Sequence, residues 1–460
     1  MRTLLRIGAF MLLITSFVVG TTCKEAQDER SNYDLIISKV NLIDGTGKDL
    51  QENVNVYIKD SKISKIDTGA IESNELKNVI NGAGKYLIPG LFDCHAHTSS
   101  EPSYIAKFVH FGVTSIFIPG GSRSTNAFYK KMRAMGNQDS IPAPRTFHTS
   151  QHFTMEGRHP VKTYSSSNWV EGETVYLLRE VDEIAGLVKQ MAQQPILGIK
   201  LTIEDGPHPP VVERMPQAFV DQVQKEAEKN NLEVYAHISD NVELEMAVKA
   251  NINNLVHFTG VDLDFVRDSS LVSKIYKDSI NWVTTLMLDK SFLYPLHPEW
   301  AEDPHIQDLY RSETFEALND SSYVFRANDY ITFMKDYLNT DTLTLKDAVQ
   351  FQVDDIKVLM QNGVNMVLGT DTGNTFILQG YSLHEEMQLL ELGGMPPLDI
   401  IKMGTLNAAK MMKAEDRLGS IEVGKLADMV LLDANPLVSI TNTLKINSVF
   451  KNGQAQTRIE

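Results

Sequence analysis

Between residues 90 and 371 the chain repeats one rhythm: a short apolar run, then a longer stretch with helical spacing. The runs are GLFDCHAH (90–97), VTSIFIP (113–119), RTFHTS (145–150), ILGIKLT (196–202), EVYAHI (233–238), NLVHF (254–258), NWVTTLM (281–287) and NMVLGTD (365–371). Amphipathic stretches such as VDEIAGLVKQMAQQ and AFVDQVQKEAEKN separate most of them. Apolar strands alternating with helices call for a parallel sheet with covered faces. Eight such units predict an α/β fold, a (β/α)8 TIM barrel over residues 89–416. The competing solution, an open doubly wound sheet, wants a Gly-rich phosphate turn after an early strand, and no GxGxxG stands there.

Both ends follow a different pattern. YDLIISKVNLIDGTG and NVNVYIKDSKISKID are short β segments broken by Asp-Gly and Asp-Ser turns, and GSIEVGKLADMVLLDANP and INSVFKNGQ resemble them. Neither end has enough apolar positions to close a core alone. Residues 33–88 and 417–460 are therefore expected to build one small β-sandwich domain together. A long interval separates the seventh run from the eighth, and residues 288–345 within it are rich in aromatics and patterned for helices. An insertion of this size is expected to be an active-site lid, a binding surface, plain elaboration or a contact with a second copy of the chain.

The balance of 43 basic against 59 acidic residues, a net charge of −16, excludes a phosphate-backbone binder. The N-terminus reads as an export signal over residues 1–22. Arg2 and Arg6 precede an apolar stretch from Ile7 to Val19, too short to span a bilayer as a mature helix. Cys23 stands where processing would fall, behind Gly20, Thr21 and Thr22. Two outcomes stay open, lipidation of Cys23 and ordinary cleavage. Either places the protein outside the cytoplasm, periplasmic or on the outer surface, with a lipid on Cys23 as its one membrane link. The only other cysteine, Cys94, is read as packing.

The chemistry is expected where strands end, because a TIM barrel opens all its C-terminal strand ends on one face. The first run offers His95 and His97, the fourth Lys200, the fifth His237, the sixth His257 and the eighth Asp371. Each alone has a bland explanation: a satisfied core histidine, a lysine reaching solvent, a turn aspartate. Together they form a set of imidazole and carboxylate donors that suits zinc, manganese, iron or nickel. A lysine ending an apolar run is costly as an ammonium ion. Its functional form would be a carbamate made with CO2, an anion able to bridge two metal ions. Gly369 and Gly373 beside Asp371 are expected to let the backbone approach a ligand.

These motifs, PGLFDCHAH, GIKLT, YAHIS, LVHF and GTDTG, with the tail GTLNAAKMM and LGSIEVGKLADMVLLDANPL, resemble the amidohydrolase superfamily. The similarity is greatest to its imidazolonepropionase-like branch, which includes binuclear metallo-dipeptidases. The resemblance implies a barrel plus a β-sandwich made from both termini. It implies two divalent ions, zinc foremost: one held by His95, His97 and Asp371, the other by His237 and His257, with carboxylated Lys200 between them. It implies hydrolysis of a C–N bond in a small amide, dipeptide or cyclic amide by a hydroxide shared by the two ions, with Asp371 moving the proton. The stretch APRTFHTSQHFTMEGRHP matches the branch at Thr154, Gly157 and His159 and departs at Thr149 and Ser150. His159 is thereby expected at the substrate, as are Tyr235 and Ser239. Ser239 replaces a tyrosine that proline-dipeptide hydrolases of this branch often carry, and Phe258 stands where glycine is common. Two other readings compete: a mononuclear deaminase on the same fold, which Lys200 weighs against, and a non-catalytic binding lipoprotein, which the intact ligand set weighs against.

Overall fold

Each of the eight apolar runs contains a strand: β1 (Leu91–Asp93), β2 (Val113–Ile118), β3 (Arg145–His148), β4 (Gly198–Thr202), β5 (Glu233–His237), β6 (Asn254–Val256), β7 (Asn281–Val283) and β8 (Asn365–Val367). The structure, a computed structural model, describes residues 33–71, 78–164, 167–206, 211–258, 269–277, 280–310, 316 and 318–459. The export segment 1–22 and Cys23 lie outside the described residues.

Pairing is parallel from β1 to β3 and from β4 to β8. Two seams close the ring. Ser150 N–H donates to the Gly198 carbonyl (2.8 Å) and Leu197 N–H to the His148 carbonyl (3.0 Å), joining β3 to β4. Cys94 N–H donates to Leu368 O (2.9 Å) and Asp371 N–H to His95 O (2.8 Å), joining β8 to β1. The fold is a (β/α)8 barrel. The helices pack outside on apolar stripes. Ile184–Met191 buries Ile184, Val188 and Met191, and Gln217–Lys229 buries Val220, Val223 and Ala227. That is the i, i+3/i+4 spacing of one helical face.

The strands are shorter than the runs. His95 and His97 lie beyond β1, whose pairing with β2 shifts register between Leu91 and Phe92 and stops at Asp93. Single bonds carry the segment on: Ala96 N–H to Phe117 O (2.9 Å) and His97 N–H to Thr372 O (2.8 Å). A short ribbon follows β3, where His152–Thr154 pairs with Val175–Leu177 and with Lys200 and Leu201 of β4. It extends the wall above the ring.

The terminal segments form a mixed eight-stranded sheet. It contains Leu35–Leu42, Gln51–Lys59, Lys62–Asp67, Val79–Asn81 and Tyr86–Pro89 from one end, and Met429–Leu432, Ile446–Lys451 and Gln454–Ala455 from the other. Pairing is antiparallel except where Leu35–Leu42 meets Val79–Asn81 and Tyr86–Pro89. Ile37, Val40, Val56 and Ile58 share a core with Leu87, Met429, Leu431 and Phe450. Arg145 of β3 ties sheet to barrel, donating to both carboxylate oxygens of Asp428.

Residues 288–345 include the helices Pro304–Leu309 and Ser321–Leu338. Tyr294 stacks on Phe376 with ring centroids 4.1 Å apart, and Tyr323 meets the same ring at 5.1 Å. Lys290 forms a 2.6 Å ion pair with buried Glu385. The insertion thus braces the loop after β8 from behind.

Candidate metal centre

Inside the ring, side chains from alternate positions stack in layers along the axis. The lower layer is apolar: Phe92, Cys94, Phe117, Tyr235, Val256, Val283 and Val367, closed from below by Ala408, Met411 and Leu418. Cys94 packs there, and burial pushes its thiol pKa up. Tyr235 belongs to this layer and does not reach the mouth. Its hydroxyl turns to the Met411 carbonyl (3.4 Å), which removes it from the expected substrate residues. The reason is depth: Tyr235 and His237 share one inward face two residues apart, so the tyrosine lies one layer below the histidine.

The upper layer is polar. His95 Nε2 lies 3.4 Å from Asp371 Oδ1, and His97 Nε2 lies 3.2 Å from the same oxygen and 3.2 Å from His95 Nε2. His257 Nε2 lies 3.1 Å from His237 Nδ1. One group of potential ligand atoms, all within 4.8 Å of one another, comes from His95, His257 and Asp371, and a second from His159, Glu204 and His237. All six expected ligands therefore gather at one mouth, with His257 beside His95 and Asp371. Glu204 was not anticipated. Its signal was parity: Lys200, Thr202 and Glu204 alternate along an extended segment and all three are buried. His152 was missed too. It lines the cavity, with Nδ1 2.9 Å from the Thr202 hydroxyl.

Burial, first of all causes, pushes the pKa values of His95, His237 and His257 down, so these rings are neutral and able to donate lone pairs. Lys200 is fully buried and its Nζ has no hydrogen-bond partner. Burial lowers its pKa to about 7, while Asp371 and Glu204 pull the other way. Burial acts to raise Asp371, but the hydrogen bond from His97 and the electrostatic pull of Lys200 outweigh it and hold the carboxyl below its usual range.

The support is rigid. Asp93 accepts from the N–H groups of His95 (3.2 Å) and Thr370 (3.1 Å) and from the Thr370 hydroxyl (2.7 Å), locking β1 to β8. The His97 Nδ1 faces the Gly120 carbonyl (3.0 Å) and the His257 Nδ1 faces the Thr285 hydroxyl (3.1 Å). His257, Thr285 and Asp371 take positive φ angles of 74°, 119° and 63°, local strain of a kind that persists at functional sites. Gly373, at φ +105°, lines the cavity and has a further reason to be glycine: a Cβ there would stand 2.5 Å from the His97 carbonyl. At Gly369 a Cβ would stand 3.0 Å from His95. Both glycines admit the ligand-bearing segment.

A cavity of about 570 Å³ opens above this layer, lined on the inner side by His97, His152, His159, Lys200, His237 and Asp371. Ser239 is absent from its wall, since its hydroxyl donates to Glu243 (3.0 Å). Among the described residues no member of the 288–345 insertion lines it.

The family model described as the amidohydrolase family matches residues 86–455. The chain belongs to the amidohydrolase family. It is 21% identical to 5'-deoxyadenosine deaminase of Methanothermobacter thermautotrophicus over 87% of this chain and 85% of that protein. It is 22% identical to imidazolonepropionase of Fusobacterium nucleatum over 88% of this chain and 92% of that protein. Among solved structures, a Xaa-Pro dipeptidase with bound methionine superposes with a TM-score of 0.69, at 21% identity, covering 92% of this amidohydrolase and 99% of that chain.

Proposed function

We propose that the protein is a metal-dependent hydrolase of an amide-like C–N bond in a small molecule, with two divalent ions and a carboxylated Lys200. The observation that carries this reading is Lys200 itself: a fully buried amine without a hydrogen-bond partner, in electrostatic reach of Asp371 and Glu204. With its pKa near 7 a large share is the free amine, the form that adds to CO2 and releases a proton. The resulting carboxylate would join neutral imidazoles and Asp371 in holding divalent ions. Such ions supply Lewis acidity toward a carbonyl and lower the pKa of water from 15.7 toward about 7.

The chain's own groups do the rest. Asp371 accepts the proton of the attacking water and returns it to the leaving nitrogen, so one C–N bond breaks while one C–O bond forms. His97, at 3.2 Å, orients that carboxylate. Phe376, braced by Tyr294, walls off the cavity. Arg123 also lines the cavity; it is exposed, and none of the described residues pairs with its guanidinium. We assign the substrate a carboxylate that Arg123 receives in the bidentate manner of guanidinium groups, as an N-acyl amino acid or dipeptide would present.

The test counts metal per chain and screens the zinc-loaded protein against N-acyl amino acids, dipeptides and their amidated counterparts. Two ions per chain and hydrolysis of the free acids in preference to the amides are expected. One ion with release of ammonia from an aminopurine-like base would favour the deaminase reading instead.

A further inference from the structure

The loop between His152–Thr154 and Val175–Leu177 brings two aromatic rings, Tyr164 and Trp169, to the lining of the cavity. Trp169 is half-buried. Its ring meets that of His152 edge to face, with centroids 5.3 Å apart and planes at 81°. Its Nε1–H donates to the Tyr164 carbonyl (3.2 Å), so the indole has only apolar surface left to offer. Tyr164 meets the His159 ring in the same manner at 5.1 Å. Both histidines are fixed in turn: His152 Nδ1 lies 2.9 Å from the Thr202 hydroxyl, and His159 Nδ1 lies 2.6 Å from the Thr163 hydroxyl. Just after Trp169 the loop is tied to itself. Val170 N–H donates to the Thr174 hydroxyl (2.9 Å), and Gly172 N–H to the Val175 carbonyl (2.8 Å). The two rings are thus held in place without being folded into a core. Anchored aromatic surface in the wall of a polar cavity is area kept for an apolar part of a ligand.

The segment that carries Arg123 packs on the same ribbon. Gln151, one residue before His152, donates from Nε2 to the Ser124 carbonyl (3.1 Å) and to Asn126 Oδ1 (3.0 Å). Gly120, at φ +82°, admits the His152 ring, since a Cβ there would stand 2.7 Å from its Cδ2. Arg123 and Trp169 therefore belong to adjoining segments, and both line the cavity. We propose that Tyr164 and Trp169 form a subsite for an aromatic side chain, carried by the same substrate residue whose carboxylate Arg123 receives. That residue is the one released as the amine. The substrate is then an N-acyl aromatic amino acid, or a dipeptide ending in one. The proposal rests on the hydrolase reading above and narrows its substrate class. An aromatic ring on the indole gains from buried area and from edge-to-face or offset contact, and a methyl group in its place gains little of either.

The test uses the full chain loaded with zinc. It is titrated in a calorimeter with L-phenylalanine and with L-alanine, and assayed on the N-acetyl derivative of each. L-phenylalanine is expected to bind roughly 10- to 100-fold tighter, and kcat/KM for its derivative to lead by a similar factor. Trp169→Ala is expected to shrink both preferences by roughly 10-fold, chiefly through binding and KM, while Trp169→Phe keeps most of them. Equal binding of the two amino acids by the wild type, binding of neither, or a preference untouched by Trp169→Ala would overturn the proposal. Hydrolysis of other N-acyl amino acids would then leave the hydrolase reading standing. Selective binding of L-phenylalanine that depends on Trp169, without hydrolysis of any amide, would uphold the subsite and sink that reading. If Trp169→Ala fails to fold, diffraction from wild-type crystals soaked in L-phenylalanine decides: a ring against Tyr164 and Trp169 upholds the assignment, and a ring elsewhere overturns it.

Discussion

Tyr235 and His237 stand two residues apart on one strand and face the same interior, yet they belong to regions with opposite chemistry. Below, Tyr235 is closed in by Phe92, Phe117, Val256 and Val367. Above, His95 Nδ1, Lys200 Nζ and both Glu204 oxygens are buried without a hydrogen-bond partner. Buried atoms without a partner elsewhere among the described residues belong to hydroxyls and amides such as Thr146, Tyr294 and Gln352, whereas buried carboxylates and imidazoles outside the mouth are paired. Glu386, fully buried, accepts from the N–H groups of Thr285, Leu286 and Met287 at 2.8–3.1 Å. His384 donates from Nε2 to the Phe111 carbonyl (2.8 Å), with Nδ1 2.8 Å from the Thr443 hydroxyl. The contrast teaches that the mouth is not an imperfect core. Its polar groups are held ready for something outside the chain, and the apolar layer beneath supplies the stability that tolerates them.

Substitutions at the two levels should separate function from stability. The largest effect belongs to the mouth. Asp371→Asn is expected to lower kcat by about 10²–10⁴-fold with metal content largely kept; turnover at the wild-type rate would remove Asp371 from proton transfer. In the lower layer Tyr235→Ala is expected to cost about 3–5 kcal/mol in chemical denaturation, leaving metal stoichiometry unchanged in the folded fraction. A loss of metal instead would mean that the two levels are one unit.

A paired buried group tests the contrast through pH. Burial pushes the His384 pKa from 6.5 down to about 4. The unfolded chain restores the ordinary value. The stability tied to its neutral ring is therefore whole above pH 6.5 and is lost as pH falls through 4, a span of about 3 kcal/mol. His384→Asn should flatten the fall in unfolding free energy between those limits relative to wild type; an unchanged slope would assign the acid sensitivity elsewhere. The smallest effect has the opposite sign. In metal-free protein kept free of CO2, Lys200→Met is expected to raise stability by about 1–2 kcal/mol, since it removes a buried amine without a partner. A lower unfolding midpoint would show that Lys200 is structurally satisfied.

The barrel was legible because periodicity is local: eight apolar runs at helical separation leave few other ways to bury their faces. His95, His97, Lys200, His237, His257 and Asp371 were legible because strand ends in this architecture share one rim. Other features depend on neighbours that sequence does not place. Tyr235 and His237 have the same parity, so only depth along the axis sends one to the core and the other to the site. Glu204 lies beyond β4, and only the fold brings it to the mouth. Gly373 lines the cavity, but the close approach that bars any side chain there, to the His97 carbonyl, is visible only in the fold. The sequence by itself determined the class of fold and the donor types at the mouth, because hydrophobic spacing and side-chain chemistry are properties of the chain. Only the tertiary structure decided which donors face one another, because that rests on register, layer and strained backbone at distances of 3–4 Å.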